Sequence, residues 1–478
     1  MKLKNPIKMK RKITLLLIVL ITFSTFGQEI TGQWNGVLNV QGVQLRIVFN
    51  ITKSDTGFTS TMDSPDQGAT GIPVTTTTFE NSTLKLIIAN AGIEYSGEFL
   101  KDSITGIFKQ SGYEFPMKLS RETVKKQTKK RPQEPTKPYS YYSEEVNFQN
   151  TQANITLAGT LTLPKKEGNY PVVILISGSG PQNRNEEVFG HKPFLIISDH
   201  LTKNGIAVLR YDDRGVGNST GDFKVATSMD FSSDVESAID YLKTRKEINK
   251  AKIGLIGHSE GGIIAPMVAA KSNDVNFIVL LAGTGIRGDK LLLLQQELIA
   301  KAYGASDTAI QKSKEINSTI FEIVIDSKDM QSLKTDLTNY LRKFLENSSD
   351  NAVPEGMSVD DFVAQQVTQI STPWMEHFIK YDPSHDLEKV SCAVLAVNGQ
   401  KDLQVPPKEN LTAISEALKK GGNGDVTIKE FPNLNHLFQE CITGSPNEYA
   451  TIEQTFSPTA LDEITQWILA QIKLEKQL

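Results

Sequence analysis

The sequence predicts a small all-β domain followed by an α/β domain, in which a mostly parallel sheet is flanked by helices and carries a helical cap insertion. Three observations predict this architecture: alternating hydrophobic residues in the N-terminal quarter, continuous apolar runs in the remainder, and helical patterns between those runs. The chain has 478 residues, of which 39% are hydrophobic and 22% are charged. This composition is typical of a globular protein, and the length suffices for two or three domains.

Residues 1–27 have the pattern of a secretory signal peptide. A basic start from Lys2 to Lys12 precedes the apolar run from Ile13 to Phe23, and small residues follow at Thr25 and Gly27. This apolar run is shorter than the ~20 residues of a membrane-spanning helix. We therefore expect an exported protein, periplasmic or extracellular, that does not span the membrane. An uncleaved signal anchor is the alternative.

Residues 29–122 are predicted to form a β-sandwich or barrel. Hydrophobic and polar residues alternate from Val43 to Thr52 and again from Leu84 to Ile88. This region contains no histidine and no cysteine, which favours an accessory role in stability, positioning or ligand contact. Residues 123–142, rich in lysine and proline, are predicted to be an extended linker. A basic tract that binds a partner is the alternative reading of the linker.

Residues 143–478 are predicted to form the α/β domain. Near-continuous apolar runs indicate strands that are buried on both faces of a parallel sheet. These runs are Val172–Ile176, Ile206–Leu209, Ile253–Ile256, Phe277–Leu281 and Ala393–Val397. Residues 287–386 show helical periodicity without a strand pattern. An insertion of this size between two strands predicts a helical cap.

The candidate nucleophile, Ser259, lies in the sequence GHSEG of residues 257–261. The strand pattern Ile253–Ile256 comes directly before this sequence, and the helical pattern Ile263–Ala270 follows it. A serine at such a strand-to-helix turn is exposed at the edge of a sheet, and the flanking glycines permit the strained backbone. An ordinary glycine-rich turn is the alternative.

A base and an acid follow Ser259 in the chain. His436 lies in a loop after the last predicted strand, where a general base can be held over the edge of the sheet. Asp402 follows the preceding predicted strand and is the candidate for orienting that histidine. Asp289 and Asp386 are competing acids that are less well placed. The order serine, acid, histidine differs from the orders of chymotrypsin and subtilisin.

The glycine-rich turn after the first parallel strand predicts an oxyanion hole, because its backbone N–H groups are free to face a developing charge. We assign this role to the N–H groups of Ser179 and of Glu260, with a plain turn as the alternative. Near the end of the cap, Trp374, Met375 and Phe378 are candidates for lining the substrate pocket. Packing within the cap is the alternative for these three.

Five motifs carry a resemblance to a known family. They are ISGSGP at 176–181, YDDRGVG at 211–217, GHSEGG at 257–262, NGQKDLQVPP at 398–407 and NHLF at 435–438. The chain resembles the exported α/β-hydrolase esterases, grouped as serine-aminopeptidase-like or dienelactone-hydrolase-like, over residues 143–475. The resemblance implies an α/β-hydrolase fold, a triad of Ser259, Asp402 and His436, an accessory β domain, and loops braced by Asp213 and Arg214. One departure is that dienelactone hydrolases have a cysteine in place of the serine.

These features predict a serine hydrolase that cleaves carboxylic esters with small to medium acyl chains through an acyl-enzyme. We expect a small-molecule ester substrate and no metal or organic cofactor. A net charge of −4 argues against a dedicated nucleic-acid binder. One alternative is an aminopeptidase or iminopeptidase, in which Glu315, Glu322 and Asp326 could hold an amine. The other is an envelope binding protein with secondary hydrolase activity. The oligomeric state and the natural substrate have no signature in the sequence.

Overall fold

The computed structural model describes residues 30–40, 43–55, 57–67, 69–110, 113–125, 131–347, 353 and 357–473. The predicted signal peptide lies outside these described residues. Within this described part, the chain forms two sheets, a nine-stranded antiparallel sheet in the N-terminal part and an eight-stranded mixed sheet in the rest.

The N-terminal sheet is an antiparallel meander whose first and last strands pair with each other. Its described strands are β1 Gly32–Val40, β2 Val43–Ser54, β3 Gly57–Ser64, β4 Ala69–Pro73, β5 Thr76–Glu80, β6 Thr83–Ile88, β7 Ile93–Leu100, β8 Ser103–Gln110 and β9 Tyr113–Ser120. The order is β4-β3-β2-β1-β9-β8-β7-β6-β5. Near the two ends of this order, the Ser60 carbonyl of β3 accepts a 3.0 Å bond from Val74 N–H, and the Ser60 hydroxyl lies 2.9 Å from the Thr77 hydroxyl of β5. The sheet therefore curls into a barrel-like shape.

The interior of this sheet is packed with the alternating hydrophobic residues. The largest fully buried side chains are Trp34, Phe49, Tyr95 and Phe108. The polar tips of two of them are satisfied inside the core: the Trp34 indole donates to the Ile30 carbonyl at 2.8 Å, and the Tyr95 hydroxyl donates to backbone carbonyls. A filled interior of this kind supplies a core for the domain and leaves its outer face for contacts.

The second sheet contains both parallel and antiparallel strands, and the alternation of strands and helices in the sequence accounts for its parallel part. Its strands are β10 Tyr142–Asn150, β11 Ile155–Leu163, β12 Tyr170–Ile176, β13 Ala207–Tyr211, β14 Ile248–His258, β15 Val275–Leu281, β16 Ala393–Gly399 and β17 Val426–Phe431. The order is β10-β11-β13-β12-β14-β15-β16-β17. The pairings of β10 with β11 and of β11 with β13 are antiparallel, and the others are parallel. In such sheets, binding sites form beyond the carboxyl ends of the parallel strands.

Helices cover both faces of the second sheet. The described α-helices of the chain are α1 Pro193–Lys203, α2 Ser228–Thr244, α3 Gly261–Ala269, α4 Gly288–Ala302, α5 Asp307–Asp326, α6 Met330–Asn347, α7 Val359–Ile370, α8 Pro373–Lys380, α9 Ser384–Leu387, α10 Pro407–Lys420, α11 Pro446–Tyr449 and α12 Pro458–Lys473. Helices α1 and α12 pack on one face, whereas α2, α3 and α10 pack on the other. Among the described residues, no helix combines the length and hydrophobicity that a membrane span requires.

The helices α4 to α9 lie between β15 and β16; α4 to α8 form the cap, whereas α9 packs against α3 and α10 of the main domain. Ser306, Ser358 and Thr372 directly precede α5, α7 and α8, and the side chain of each accepts a backbone N–H of the first turn. The cap has a hydrophobic cluster of its own, centred on fully buried residues such as Val324 and Leu333. The cap is therefore an independently packed layer.

Candidate active site

Ser259 occupies the sharp turn between β14 and α3. Its φ of +54° lies in the left-handed region, where a residue other than glycine is strained. The glycines on either side are required sterically, because a Cβ on Gly257 would lie 1.9 Å from the carbonyl oxygen of Gly261. A Cβ on Gly261 would lie 2.2 Å from the carbonyl oxygen of Ile176 on the neighbouring strand. This turn presents the serine at the carboxyl edge of the sheet.

His436 and Asp402 form a buried pair at the same edge. Nδ1 of His436 lies 2.7 Å from Oδ2 of Asp402, and the two residues are 5% and 2% exposed. The other carboxylate oxygen of Asp402 accepts the backbone N–H groups of Gln404 and Val405, at 2.8 and 2.9 Å. The loops that carry the pair follow the neighbouring parallel strands β16 and β17. Because Nδ1 bonds to the carboxylate, Nε2 is left for a second partner.

Ser259 and His436 line one cavity of about 320 Å³ beneath the cap. A volume of this size suits a small organic ligand. Trp374 and Phe378 of α8 also line the cavity, with their rings stacked at 5.0 Å. Met375 packs in the hydrophobic cluster of the cap and is not among the lining residues. The cavity is further lined by residues that the sequence analysis did not single out, including Phe189, Leu291, Gln295, Gln404 and Tyr449.

The turn after β12 lies directly beside the serine. A Cβ on Gly178 would be 3.1 Å from the Cβ of Ser259, so the two backbones approach closely. The N–H of Gly178 donates to Glu186 Oε1 at 2.7 Å. In the described part of the chain, the N–H groups of Ser179 and Glu260 have no protein acceptor, and both residues line the cavity. These two donors are therefore available to an oxyanion.

The side chain of Glu260 connects the turn at Ser259 to the cap. Its Oε1 accepts the Ser228 hydroxyl at 2.6 Å and the Trp374 indole N–H at 2.9 Å. Burial of this carboxyl raises its pKa, although hydrogen bonds from Ser228, Trp374 and Ser179 partly counteract the effect. The sequence motif marked only the backbone of Glu260. Its side-chain partners lie on α2 and α8, far away in the sequence.

Glu186 is the clearest site residue that the sequence analysis missed. Its Oε1 lies 2.9 Å from Nδ1 of His258, whose Nε2 donates to the carbonyl oxygen of His436 at 3.0 Å. Burial opposes protonation of His258, but the charge and hydrogen bond of Glu186 outweigh it and raise the pKa of the imidazole. One carboxylate thus holds both the turn at Gly178 and the loop of His436. A glutamate in an irregular loop has no sequence signature for this role.

Asp213 and Arg214 brace loops near the site, as the resemblance implies. Asp213 accepts the Ser177 hydroxyl at 2.7 Å and the Gln182 N–H at 2.9 Å, and burial raises its pKa to about 8. Arg214 donates two bonds to Asp234, at 2.8 and 2.9 Å. The described residues contain no group of three or more histidine, cysteine, aspartate or glutamate side chains that could hold a metal ion.

The order of the second sheet and the strained turn at Ser259 define the chain as an α/β hydrolase. The family described as "Serine aminopeptidase, S33" matches residues 194–440, just over half of the chain. The chain belongs to this family, and the matched segment includes Ser259, Asp402 and His436.

Individual relatives include esterases. The chain is 24% identical over 333 residues to Esterase EstD from Thermotoga maritima, covering 69% of each protein. Among solved structures, the Pyrococcus furiosus esterase Pf2001 is 15% identical with a TM-score of 0.42, over 70% of this chain and 91% of that one. Est1E from Butyrivibrio proteoclasticus with bound ferulic acid is 16% identical with a TM-score of 0.40, over 68% and 99% of the two chains.

Proposed function

We propose that the protein hydrolyses carboxylic esters with small to medium acyl chains. Ser259 is the nucleophile, His436 the general base and Asp402 the acid that orients it. The observation that carries the proposal is the buried 2.7 Å pair of His436 and Asp402, of which His436 lines the same cavity as a serine held on a strained turn. This combination is the arrangement that activates a hydroxyl for attack on an acyl group.

The reaction proceeds in two halves. Nε2 of His436 takes the proton of Ser259 as its Oγ attacks the ester carbonyl, and Asp402 stabilises the imidazolium that forms. The N–H groups of Ser179 and Glu260 stabilise the tetrahedral oxyanion. The oxyanion collapses, the C–O bond to the alcohol breaks, and His436 returns the proton to the leaving alkoxide. Water, deprotonated by His436, then attacks the acyl-enzyme by the same path and releases the acid.

The cavity supports the choice of substrate size. Its volume of about 320 Å³ and its aromatic and aliphatic walls suit an acyl chain of modest length. The relationship to Esterase EstD supports the choice of an ester. We propose in addition that the protein is exported, as the N-terminal sequence pattern indicates, and that the β domain is an accessory to the hydrolase.

The family's description keeps aminopeptidase activity as the second candidate. An aminopeptidase needs a carboxylate that receives the substrate's ammonium group. The candidates Glu315, Glu322 and Asp326 are exposed on α5 and do not line the cavity. Of the carboxylates that do line it, Glu186 is paired with His258, and Glu260 accepts bonds from neutral donors. The ester proposal therefore has the stronger support.

An activity panel on purified residues 28–478 tests the proposal. It pairs p-nitrophenyl esters of increasing acyl length with aminoacyl-p-nitroanilides. Ser259→Ala is compared with Ser391→Ala, which alters an exposed serine before β16, at the opposite edge of the sheet. We expect ester turnover that Ser259→Ala abolishes and Ser391→Ala retains. Turnover of anilides alone would support the peptidase, and folded protein inactive on both would contradict both.

A further inference from the structure

Part of the linker lies on the α/β domain. The guanidinium of Arg131 donates to three backbone carbonyls: Nη2 to Phe189 at 3.1 Å, Nε to Gly190 at 3.2 Å, and Nη1 to Ile452. A planar fork of donors is suited to hold several fixed acceptors, which a lysine ammonium cannot imitate. Residues 131–134, which we call the strap, therefore connect two loops that are distant in sequence.

The strap has two further anchors. Oε1 of Gln133 accepts the N–H groups of Thr455 and Phe456 at 2.6 and 3.1 Å, and its Nε2 donates to the Phe456 carbonyl at 2.7 Å. Glu134 lies 2.9 Å from the Lys192 ammonium at the start of α1. The strap thus contacts the same two loops again after Arg131, the 449–456 loop through Gln133 and the 186–192 loop through Glu134.

These two loops form one wall of the cavity. Phe189 and Tyr449 both line it, and their rings meet edge to face with centroids 5.8 Å apart. Phe189 is 41% exposed and has a φ of +52°, so little in its own packing or backbone preference holds it there. Beneath the strap, His191 joins the loops through the Tyr449 carbonyl at 2.9 Å and the Thr455 hydroxyl at 3.0 Å.

We propose that Arg131 is a positioning residue that fixes the wall formed by Phe189 and Tyr449 and thereby determines which ester chains the cavity accepts. The proposal rests on the proposed esterase function. Arg131 touches none of the reacting groups, and it acts through the carbonyls of Phe189, Gly190 and Ile452. Glu186 lies in the same loop but has its own anchor on His258, so the turn beside Ser259 keeps its position without the strap.

The first test compares Arg131→Ala and Arg131→Lys with Lys137→Ala. Lys137 is an exposed linker cation over the Tyr139 ring, with no bond to either loop. For Arg131→Ala, we expect KM for p-nitrophenyl octanoate to rise by about five- to tenfold, the equivalent of lost contact with one or two methylene groups of the acyl chain. We expect kcat for p-nitrophenyl acetate to stay within about twofold, because no contact to the transition state is removed. Arg131→Lys should restore part of the octanoate KM, and Lys137→Ala should match the wild type.

The second test is independent of ester chemistry. Hydrogen–deuterium exchange should show faster exchange in the 186–192 and 449–456 loops of Arg131→Ala, and no change in Lys137→Ala. The proposal would be overturned if exchange in these loops were the same in Arg131→Ala as in the wild type. It would also be overturned if the loops of Arg131→Ala exchanged faster while the ratio of KM for the octanoate ester to KM for the acetate ester stayed at the wild-type value. If the wild type turned over no ester, the proposed function would fail, while exchange at the two loops would still decide whether Arg131 positions them.

Discussion

The indole N–H of Trp374 donates a 2.9 Å hydrogen bond to the buried carboxylate of Glu260. Trp374 belongs to the cap helix α8, whereas Glu260 directly follows the candidate nucleophile. The same oxygen accepts the hydroxyl of Ser228 at the start of α2. The cap and the turn at Ser259 are therefore joined through a single side chain that has little contact with solvent.

We expect Trp374→Phe to lower the free energy of unfolding by about 1–2 kcal/mol, because a buried carboxylate loses a donor while the stack on Phe378 is kept. Urea denaturation measures this change. The matched control is Trp467→Phe, which removes a 3.1 Å indole bond to Thr427 at an exposed site. The control should cost less than about 0.5 kcal/mol. Equal losses in the two variants would contradict a special role for the bond to Glu260.

Replacing Asp402, the acid of the proposed triad, should remove most of the activity without unfolding the protein. For Asp402→Asn we expect kcat on p-nitrophenyl butyrate to fall by roughly 10³–10⁴-fold, because the amide no longer stabilises the imidazolium or selects the tautomer. Steady-state kinetics measures this fall in kcat. The competing acids supply the controls: Asp289 is paired with Arg287 at 2.6 Å, and Asp386 accepts the Tyr381 hydroxyl at 2.7 Å. A comparable loss in Asp289→Asn or Asp386→Asn would place the acid elsewhere.

The pair of Glu186 and His258 should make stability depend on pH. The raised pKa of the His258 imidazole means that the folded state binds its proton more tightly than the unfolded state does. The stabilisation is fully present below the unfolded pKa, near 6.5, and is lost as the pH rises through the folded pKa. Glu186→Gln should therefore be more destabilising at pH 6 than at pH 9, by on the order of 1 kcal/mol.

Chemical denaturation at the two pH values checks this expectation for Glu186→Gln. The control is Glu187→Gln, which alters the exposed neighbouring glutamate. The control variant should lose little stability at either pH. A loss in Glu186→Gln that is the same at pH 6 and pH 9 would show that the stability effect does not pass through protonated His258.

The close approach of strands around the turn makes Gly261 irreplaceable. An added Cβ would lie 2.2 Å from the Ile176 carbonyl oxygen, which is backbone and cannot move aside alone. We expect Gly261→Ala to cost about 3 kcal/mol or more, or to prevent folding. Thermal unfolding measures the loss. Gly424→Ala is the control, because no atom lies within 4 Å of its added Cβ, and it should be nearly neutral.

The sequence predicted what depends on local pattern. The continuous apolar runs matched the parallel strands because strands buried on both faces lack alternation, as in β15. Ser259, Asp402 and His436 each follow a parallel strand in the sequence. Because the carboxyl ends of parallel strands lie at one edge of the sheet, the sequence placed all three residues at that edge. Which of these residues react is still a prediction, which the kinetic experiments above address.

Other features depend on contacts between distant parts of the chain. Arg131 and Ile452 are 321 positions apart, and a basic, proline-rich segment indicates only an extended linker. Likewise, Trp374 and Met375 are neighbours on one helix, yet Trp374 lines the cavity and Met375 packs in the cap. Trp374 and Phe378 are four positions apart and share one face of α8, whereas Met375 lies about 100° around the helix. Which of these faces turns to the cavity depends on how α8 packs against distant elements, so the helix pattern alone does not show it.

The strap has a consequence for how the protein is divided in experiments. A fragment beginning at β10 would keep Ser259, His436 and Asp402 but would lack Arg131, Gln133 and Glu134. Any altered chain-length preference of this fragment would be credited to the missing β domain, although we propose that the deleted residues 131–134 determine it through Arg131. A fragment that begins just before Arg131 would lack the β domain but keep the strap. Comparing it with the fragment that begins at β10 would separate the contribution of the β domain from that of the strap.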